Sequence, residues 1–127
     1  MRKSVLAILA VSAAIVGALA IPAAAPAANI ATNVSIKFVD RPGPDIFRGR
    51  VSSPNANCIG DRNVRLFRAR PGADQLIDTD SSEDNGSWSI DVEGDPAPGR
   101  YYVKVTRRAL GADSCAPARS AVIDVAG

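Results

Sequence analysis

Between Asn29 and Gly127 the chain consists of short segments in which apolar and polar residues alternate, and Gly, Pro, Asn or Asp separates them. Alternation with a period of two is typical of β-strands that bury one face, and no segment shows a helical period of useful length. Seven such segments are present, with turn residues at intervals of roughly 8–12 residues. The pattern predicts an all-β fold, a seven-stranded antiparallel β-sandwich.

The predicted strands are NVSIKFV (33–39), IFRGRVSS (46–53), NVRLFRA (63–69), QLIDT (75–79), SWSIDV (87–92), RYYVKVT (100–106) and RSAVIDV (119–125). Alternation places the following residues on the buried faces: Val34, Ile36, Phe38, Phe47, Gly49, Val51, Val64, Leu66, Trp88, Ile90, Val92, Tyr101, Val103, Val105, Ala121, Ile123 and Val125. Few of them are aromatic. A core this modest predicts that the domain needs a covalent cross-link.

The N-terminal segment has the three parts of a secretory signal peptide. A basic start is followed by the uncharged apolar run 5–21 and by an A-x-A site at Ala25-Pro26-Ala27. We predict a signal peptide over residues 1–28, cleaved after Ala27 or Ala28, and a sandwich domain over 29–127. An uncleaved membrane anchor is the alternative, although the run is short for a span. The mature form is expected to be secreted, with no membrane span.

The charge balance gives no support for nucleic acid or an anionic membrane as partner. The whole chain has 15 basic and 13 acidic residues. Loss of Arg2 and Lys3 with the leader leaves 13 of each sign. We therefore expect no nucleic acid and no anionic membrane surface as partner.

The chain contains no histidine. This excludes a Ser-His-Asp triad, a Cys-His pair and an imidazole metal site. We expect a protein that is not an enzyme and that uses no cofactor and no metal. A hydrolase with a carboxylate pair is the remaining catalytic alternative, but no pair of acids is singled out by its surroundings.

The two cysteines, Cys58 and Cys115, are 57 positions apart. In a sandwich of consecutive antiparallel strands, alternate loops meet at one end, and these cysteines follow the second and the sixth predicted strands. An exported chain with two cysteines in compatible loops predicts one disulfide. A metal site or a free nucleophilic thiol is disfavoured, because no histidine is present to assist either.

Four segments in this order resemble the bacterial carboxypeptidase-regulatory-like domains, which belong to the transthyretin-like and Cna-B-like sandwich group. The segments are FRGRVSS, RNVRLFRARPGAD, TDSSEDNGSWSIDV and APGRYYVKV, and the similarity covers roughly residues 45 to 125. The resemblance implies an immunoglobulin-like or transthyretin-like sandwich. It also implies a non-catalytic role, as an accessory module, a stalk unit or a stand-alone secreted protein.

The loops at the cysteine-bearing end form the preferred binding surface, because three loops at one end of a rigid sandwich is the arrangement that immunoglobulin-like domains use. Its polar contacts are expected from Asp61, Arg62, Asp84, Arg107, Arg108 and Asp113. The partner is expected to be an extracellular protein or a glycan. A stalk-like module without ligand is the alternative.

Three other sets of residues are candidate sites. The acids Asp78, Asp80, Glu83 and Asp84 could form a calcium loop, but their spacing is not that of an EF-hand, and Asn85-Gly86 favours a tight turn. The Cna-B-like resemblance raises an isopeptide bond between Lys37 and Asp124, which alternation places toward solvent instead. The outward residues Arg48, Arg50, Arg65, Phe67, Tyr102 and Lys104 would form a patch if their strands shared a sheet.

Overall fold

The computed structural model describes residues 26–126, which contain twelve β-strands and one 3₁₀ helix (Ala56–Cys58) and no α-helix. The strands are β1 (Asn29–Ile30), β2 (Asn33–Val34), β3 (Lys37–Val39), β4 (Asp45–Ser52), β5 (Asn63–Arg68), β6 (Gln75–Ser81), β7 (Ser87–Val92), β8 (Gly99–Val105), β9 (Arg108–Leu110), β10 (Asp113–Cys115), β11 (Ala118–Arg119) and β12 (Ile123–Val125). The predicted all-β class is confirmed. Twelve strands replace the expected seven, because two predicted strands are each interrupted and three short strands lie in predicted loops.

The strands form two large sheets and one small sheet. In the β4 sheet, β2 and β3 pair with one edge of β4 and β7 pairs with the other. In the β8 sheet, β11 and β12 pair with one edge of β8, and β5 and β6 follow on the other side. The small sheet, which we call the pole sheet because it holds Cys115 at one end of the sandwich, has the order β1-β10-β9. All pairs are antiparallel except β1 with β10, which is parallel and departs from the expected arrangement.

The core lies between the inner faces of the β4 and β8 sheets. Its buried members are Phe47, Val51, Val64, Leu66, Trp88, Ile90, Tyr101, Val103, Val105 and Val125. All ten were expected from alternation, and the sheets pack in a sandwich-like arrangement. Ala121 is the exception, since it is exposed. The chain leaves the sheet between β11 and β12, and Ser120 is buried instead, where its hydroxyl accepts a hydrogen bond from the Val103 amide (2.9 Å).

Gly49 is required by a close approach between strands. The indole Nε1 of Trp88 donates to the Ser35 carbonyl oxygen (3.2 Å) directly beside this glycine. A Cβ atom at position 49 would lie 1.9 Å from that same oxygen. A strand glycine often marks such a contact between backbone segments.

Residues 1–25 of the predicted signal peptide lie outside the described residues. Within residues 26–126, no helix has the length and apolar character needed to cross a membrane.

Candidate functional site

The disulfide joins two loops that were expected to meet at one end of the sandwich, because alternate loops of consecutive antiparallel strands lie at the same end. Cys58 ends the 3₁₀ helix that follows β4, and Cys115 ends β10; their Cα atoms are 5.5 Å apart. Both cysteines are fully buried. The Asn55 side chain caps the 3₁₀ helix by accepting a hydrogen bond from the Asn57 amide (2.9 Å). The predicted pair is therefore confirmed. We call the surrounding loops (residues 53–62, 82–86 and 106–117) the disulfide pole.

Arg62 is the structural centre of the disulfide pole. Its side chain is only 1% exposed, and its guanidinium donates four hydrogen bonds to different parts of the chain. The acceptors are the Thr32 hydroxyl (3.1 Å) and the carbonyl oxygens of Cys58 (2.7 Å), Thr106 (2.9 Å) and Ala116 (2.9 Å). Arginine suits this position, because its planar fork presents several donors in fixed directions.

The burial of Arg62 corrects the expectation that it contacts a ligand at the surface. Burial lowers the pKa of the Arg62 guanidinium, and the nearby charge of Arg108 lowers it further. An arginine nevertheless stays charged in a protein, so four good acceptors must replace its lost hydration. Alternation could not find this role, because Arg62 precedes β5 and three of its four acceptors lie 30 to 54 residues away.

Two more of the six expected contact residues are held by the pole itself. The Arg108 guanidinium donates to the carbonyl oxygens of Gly60 (2.8 Å), Asp61 (3.0 Å) and Asn57. The Asp113 carboxylate accepts a hydrogen bond from the Ala28 amide (2.9 Å) at the start of β1. Both residues therefore fasten loops and termini together.

Asp61, Asp84 and Arg107 remain exposed at the disulfide pole. Asp61 has a positive φ of 53° and is held by its amide, which donates to the Ser82 carbonyl oxygen (2.7 Å). A shallow depression of about 330 Å³ lies where the three loops meet. It is lined by Ala56, Asn57, Gly60, Asp61, Asp84 and Arg108. The surface is polar, carries both signs of charge and rests on fixed loops.

A larger groove of about 670 Å³ lies on the outer face of the β4 sheet and was not predicted. Basic side chains of β3 and β4 and acidic side chains of β6 and the following turn line it, with serines between them. Those residues are Lys37, Arg48, Arg50, Asp80, Glu83, Ser35, Ser87 and Ser89. The Asp80 carboxylate is fixed by the Ser89 amide (2.9 Å). The sequence alone gives no sign of this groove, because it depends on β6 lying beside β7.

The proposed outward patch is divided between two surfaces. Arg48 and Arg50 lie on the β4 sheet, whereas Arg65, Phe67, Tyr102 and Lys104 lie on the β8 sheet. Phe67 and Tyr102 stack with ring centroids 5.5 Å apart. The six residues therefore lie on two separate outer faces, and Tyr102 is buried under the Arg119 guanidinium instead of exposed as expected.

The structure supports neither the isopeptide bond between Lys37 and Asp124 nor the calcium loop. Lys37 and Asp124 are exposed on strands of different sheets, and Asp124 lies 3.9 Å from Arg100. Among residues 26–126, no group of three His, Cys, Asp or Glu residues is placed to hold a metal ion. Asn85-Gly86 forms the expected turn, in which Gly86 has a φ of 91° and the Asn85 side chain accepts from the Ser87 amide (2.9 Å).

Comparison of the chain with protein-family models, with curated proteins and with solved structures finds no match in any of the three. The resemblance to carboxypeptidase-regulatory-like domains therefore stays a prediction that rests on the sequence segments.

Proposed function

We propose that the chain is an exported, non-catalytic binding module of the cell envelope or exterior. In this proposal it is an immunoglobulin-like or transthyretin-like sandwich that recognises a protein or a glycan through the disulfide pole. The observation that carries the proposal is the Arg62 network, because it fixes the loops that hold the exposed polar groups. Loops that are ordered before binding lose little conformational entropy when a partner docks.

The exposed groups at the pole suit a polar partner. Asp61 and Asp84 supply carboxylates, and Arg107 supplies a guanidinium. Positioned charges of both signs favour orientation and specificity over raw affinity. A rigid frame beneath them is what a binding site needs.

The hydrogen bonds of Ala28, directly before β1, favour cleavage after Ala27 over cleavage after Ala28. The Ala28 amide donates to Asp113 (2.9 Å), and the Ala28 carbonyl oxygen accepts from the Ser114 amide (2.9 Å). Cleavage after Ala27 would place the new α-ammonium group of Ala28 against the Asp113 carboxylate. Cleavage after Ala28 would remove both bonds.

We expect the intact mass of protein from the host's culture fluid to begin at Ala28 and to gain two hydrogens on reduction. A mass that begins at Asn29 would contradict the role of Asp113. Full-length protein found only in the membrane would contradict export.

Binding at the pole is tested with Asp61→Asn/Asp84→Asn/Arg107→Gln against a control of the same composition, Asp91→Asn/Asp95→Asn/Arg70→Gln. The probe is the host's cell-envelope fraction, separated into its protein and polysaccharide parts. We expect the pole variant to lose about tenfold in affinity and the control to change by less than about twofold. Equal losses in the two variants would reject the pole as the binding surface. Absence of binding to either part would favour a stalk-like module without ligand.

A further inference from the structure

Three basic residues form one row across the outer face of the β8 sheet. Arg65 of β5 lies directly opposite Lys104 of β8, and Arg119 of β11 lies opposite Lys104 on the other edge. Directly opposed residues of antiparallel strands point to the same face. With neighbouring strands 4.7–4.9 Å apart, the row spans about 10 Å.

No acidic side chain neutralises the row by an ion pair. Within residues 26–126, the one ion pair joins Arg100 and Asp124, on the same sheet but outside the row. Asp74 lies near the row but forms no ion pair with it; the pKa of Asp74 is lowered mainly by the Tyr102 hydroxyl, and also by the charges of Arg119 and Lys104. Like charges directly opposite each other destabilise a sheet. The row therefore carries a cost in stability that a bound anion would remove.

Aromatic rings hold the three cations in place. The Arg119 guanidinium carbon lies 4.0 Å from the centre of the Tyr102 ring. Lys104 Nζ and the Arg65 guanidinium carbon lie 5.3 and 5.6 Å from the centre of the Phe67 ring. The Tyr102 hydroxyl in turn donates to the Asp74 carboxylate. A cation over a ring keeps its N–H groups available at its edge, so these positive groups are positioned in advance.

An apolar row lies beside the basic row. Leu76 of β6 is opposite Phe67, and Phe67 is opposite Tyr102. Leu76 is the one large hydrophobic side chain among the described residues that is exposed, at 43%. A ligand that fits both rows carries repeated anionic groups along an otherwise uncharged body with C–H surface.

We propose that the outer face of the β8 sheet binds an acidic polysaccharide, with its carboxylates on Arg65, Lys104 and Arg119 and its sugar rings beside Leu76 and Phe67. Arginine binds carboxylates through two parallel N–H bonds, which favours a uronate. A nucleic acid is disfavoured, because its sites present open aromatic rings for base stacking, whereas here the Tyr102 ring is buried under Arg119 and the Phe67 ring stacks on Tyr102. The site uses no residue of the disulfide pole and is a second binding surface.

The test measures binding of the purified protein to polygalacturonate, with neutral dextran, single-stranded DNA and phosphatidylglycerol vesicles as comparison probes. The variant is Arg65→Gln/Lys104→Gln/Arg119→Gln. The matched control is Arg48→Gln/Arg50→Gln/Lys37→Gln, which removes two arginines and one lysine from the other sheet. We expect polygalacturonate to bind most tightly, the variant to weaken binding about tenfold to a hundredfold, and the control to change it less than about twofold.

Each contrary outcome is distinct. Equal losses in the two variants would show that binding follows net charge, and binding to DNA or vesicles as tight as to polygalacturonate would reject the acidic glycan. No binding, or binding that the first variant leaves unchanged, would overturn the site. Thermal unfolding checks that the variant is folded. Its melting temperature is expected to equal or exceed that of the wild type, because the substitutions remove like charges. The pole variant should bind polygalacturonate normally, so failure of either proposal is recognised separately.

Discussion

At the disulfide pole, the Arg62 guanidinium is buried and donates hydrogen bonds to three backbone carbonyls and one hydroxyl. On the β8 sheet, the charged groups of Arg65 and Arg119 lie over aromatic rings, and no acidic group among residues 26–126 lies at ion-pair distance from them. An arginine whose terminal amino groups donate to its own chain, as those of Arg62 do, stabilises the fold. An arginine whose donors face solvent beside other cations is available to an anion. Removal of Arg62 should therefore destabilise the pole, whereas removal of a cation from the basic row should stabilise the β8 sheet.

The largest expected effect is removal of the disulfide by Cys58→Ala/Cys115→Ala. The bond closes a loop of 57 residues, which corresponds to about 4 kcal/mol of unfolding free energy in the chain-entropy estimate. Denaturant unfolding measures the loss, and hydrogen exchange should show reduced protection in β5 and β8 as well as in the pole sheet, because the cross-link acts on the unfolded chain. A loss below about 1 kcal/mol would show that the Arg62 network holds the pole without the disulfide.

The next largest effect is expected for Arg62→Met. The substitution keeps an apolar stem but leaves the carbonyls of Cys58, Thr106 and Ala116 without their donor, which we expect to cost about 3 kcal/mol. Arg107→Met, at an exposed position of the same pole, should change stability by less than about 0.5 kcal/mol. Similar losses in the two variants would contradict the structural role of Arg62.

A change of the opposite sign in the unfolding free energy, a gain in stability, is expected for Lys104→Gln. Lys104 lies between Arg65 and Arg119, so its removal relieves two repulsions and should raise the unfolding free energy by about 0.5 kcal/mol at low salt. The gain should disappear at high salt, where exposed charges are screened. As a control, Arg100→Gln removes an exposed ion pair with Asp124 and should give no gain. Destabilisation by Lys104→Gln would show that its contact with Phe67 and its attraction to Asp74 outweigh the repulsion.

The smallest effect is expected for Asp74→Asn and shows in the pH dependence. The Tyr102 hydroxyl, followed by the Arg70 amide, lowers the pKa of Asp74. Asp74 therefore stabilises the fold at pH values above its unfolded pKa, and this contribution is lost as the pH falls through its lower folded pKa. Wild type should exceed Asp74→Asn in stability at pH 7, and urea unfolding should show the difference closing in acid. Tyr102→Phe should weaken the same pH dependence; a difference that persists at the lowest pH would contradict the charged hydrogen bond.

The sequence by itself determined which residues form the main strands and which face the core. Alternation is a local property, because successive side chains of a strand point to opposite faces. Alternation identified all ten buried members of the core. The order of strands and loops, which places alternate loops at the same end, identified the disulfide. Alternation also placed Lys37 and Asp124 toward solvent.

Only the tertiary structure decided the pole sheet, the burial of Arg62, the groove on the β4 sheet and the basic row of the β8 sheet. Strands of two or three residues are too short to show a period, so β1, β9 and β10 left no recognisable pattern. The acceptors of Arg62 lie up to 54 residues away. Arg119 is a neighbour of Lys104 only through the register of β11 on β8. Pairing and register depend on packing between distant segments, and no local pattern reports them.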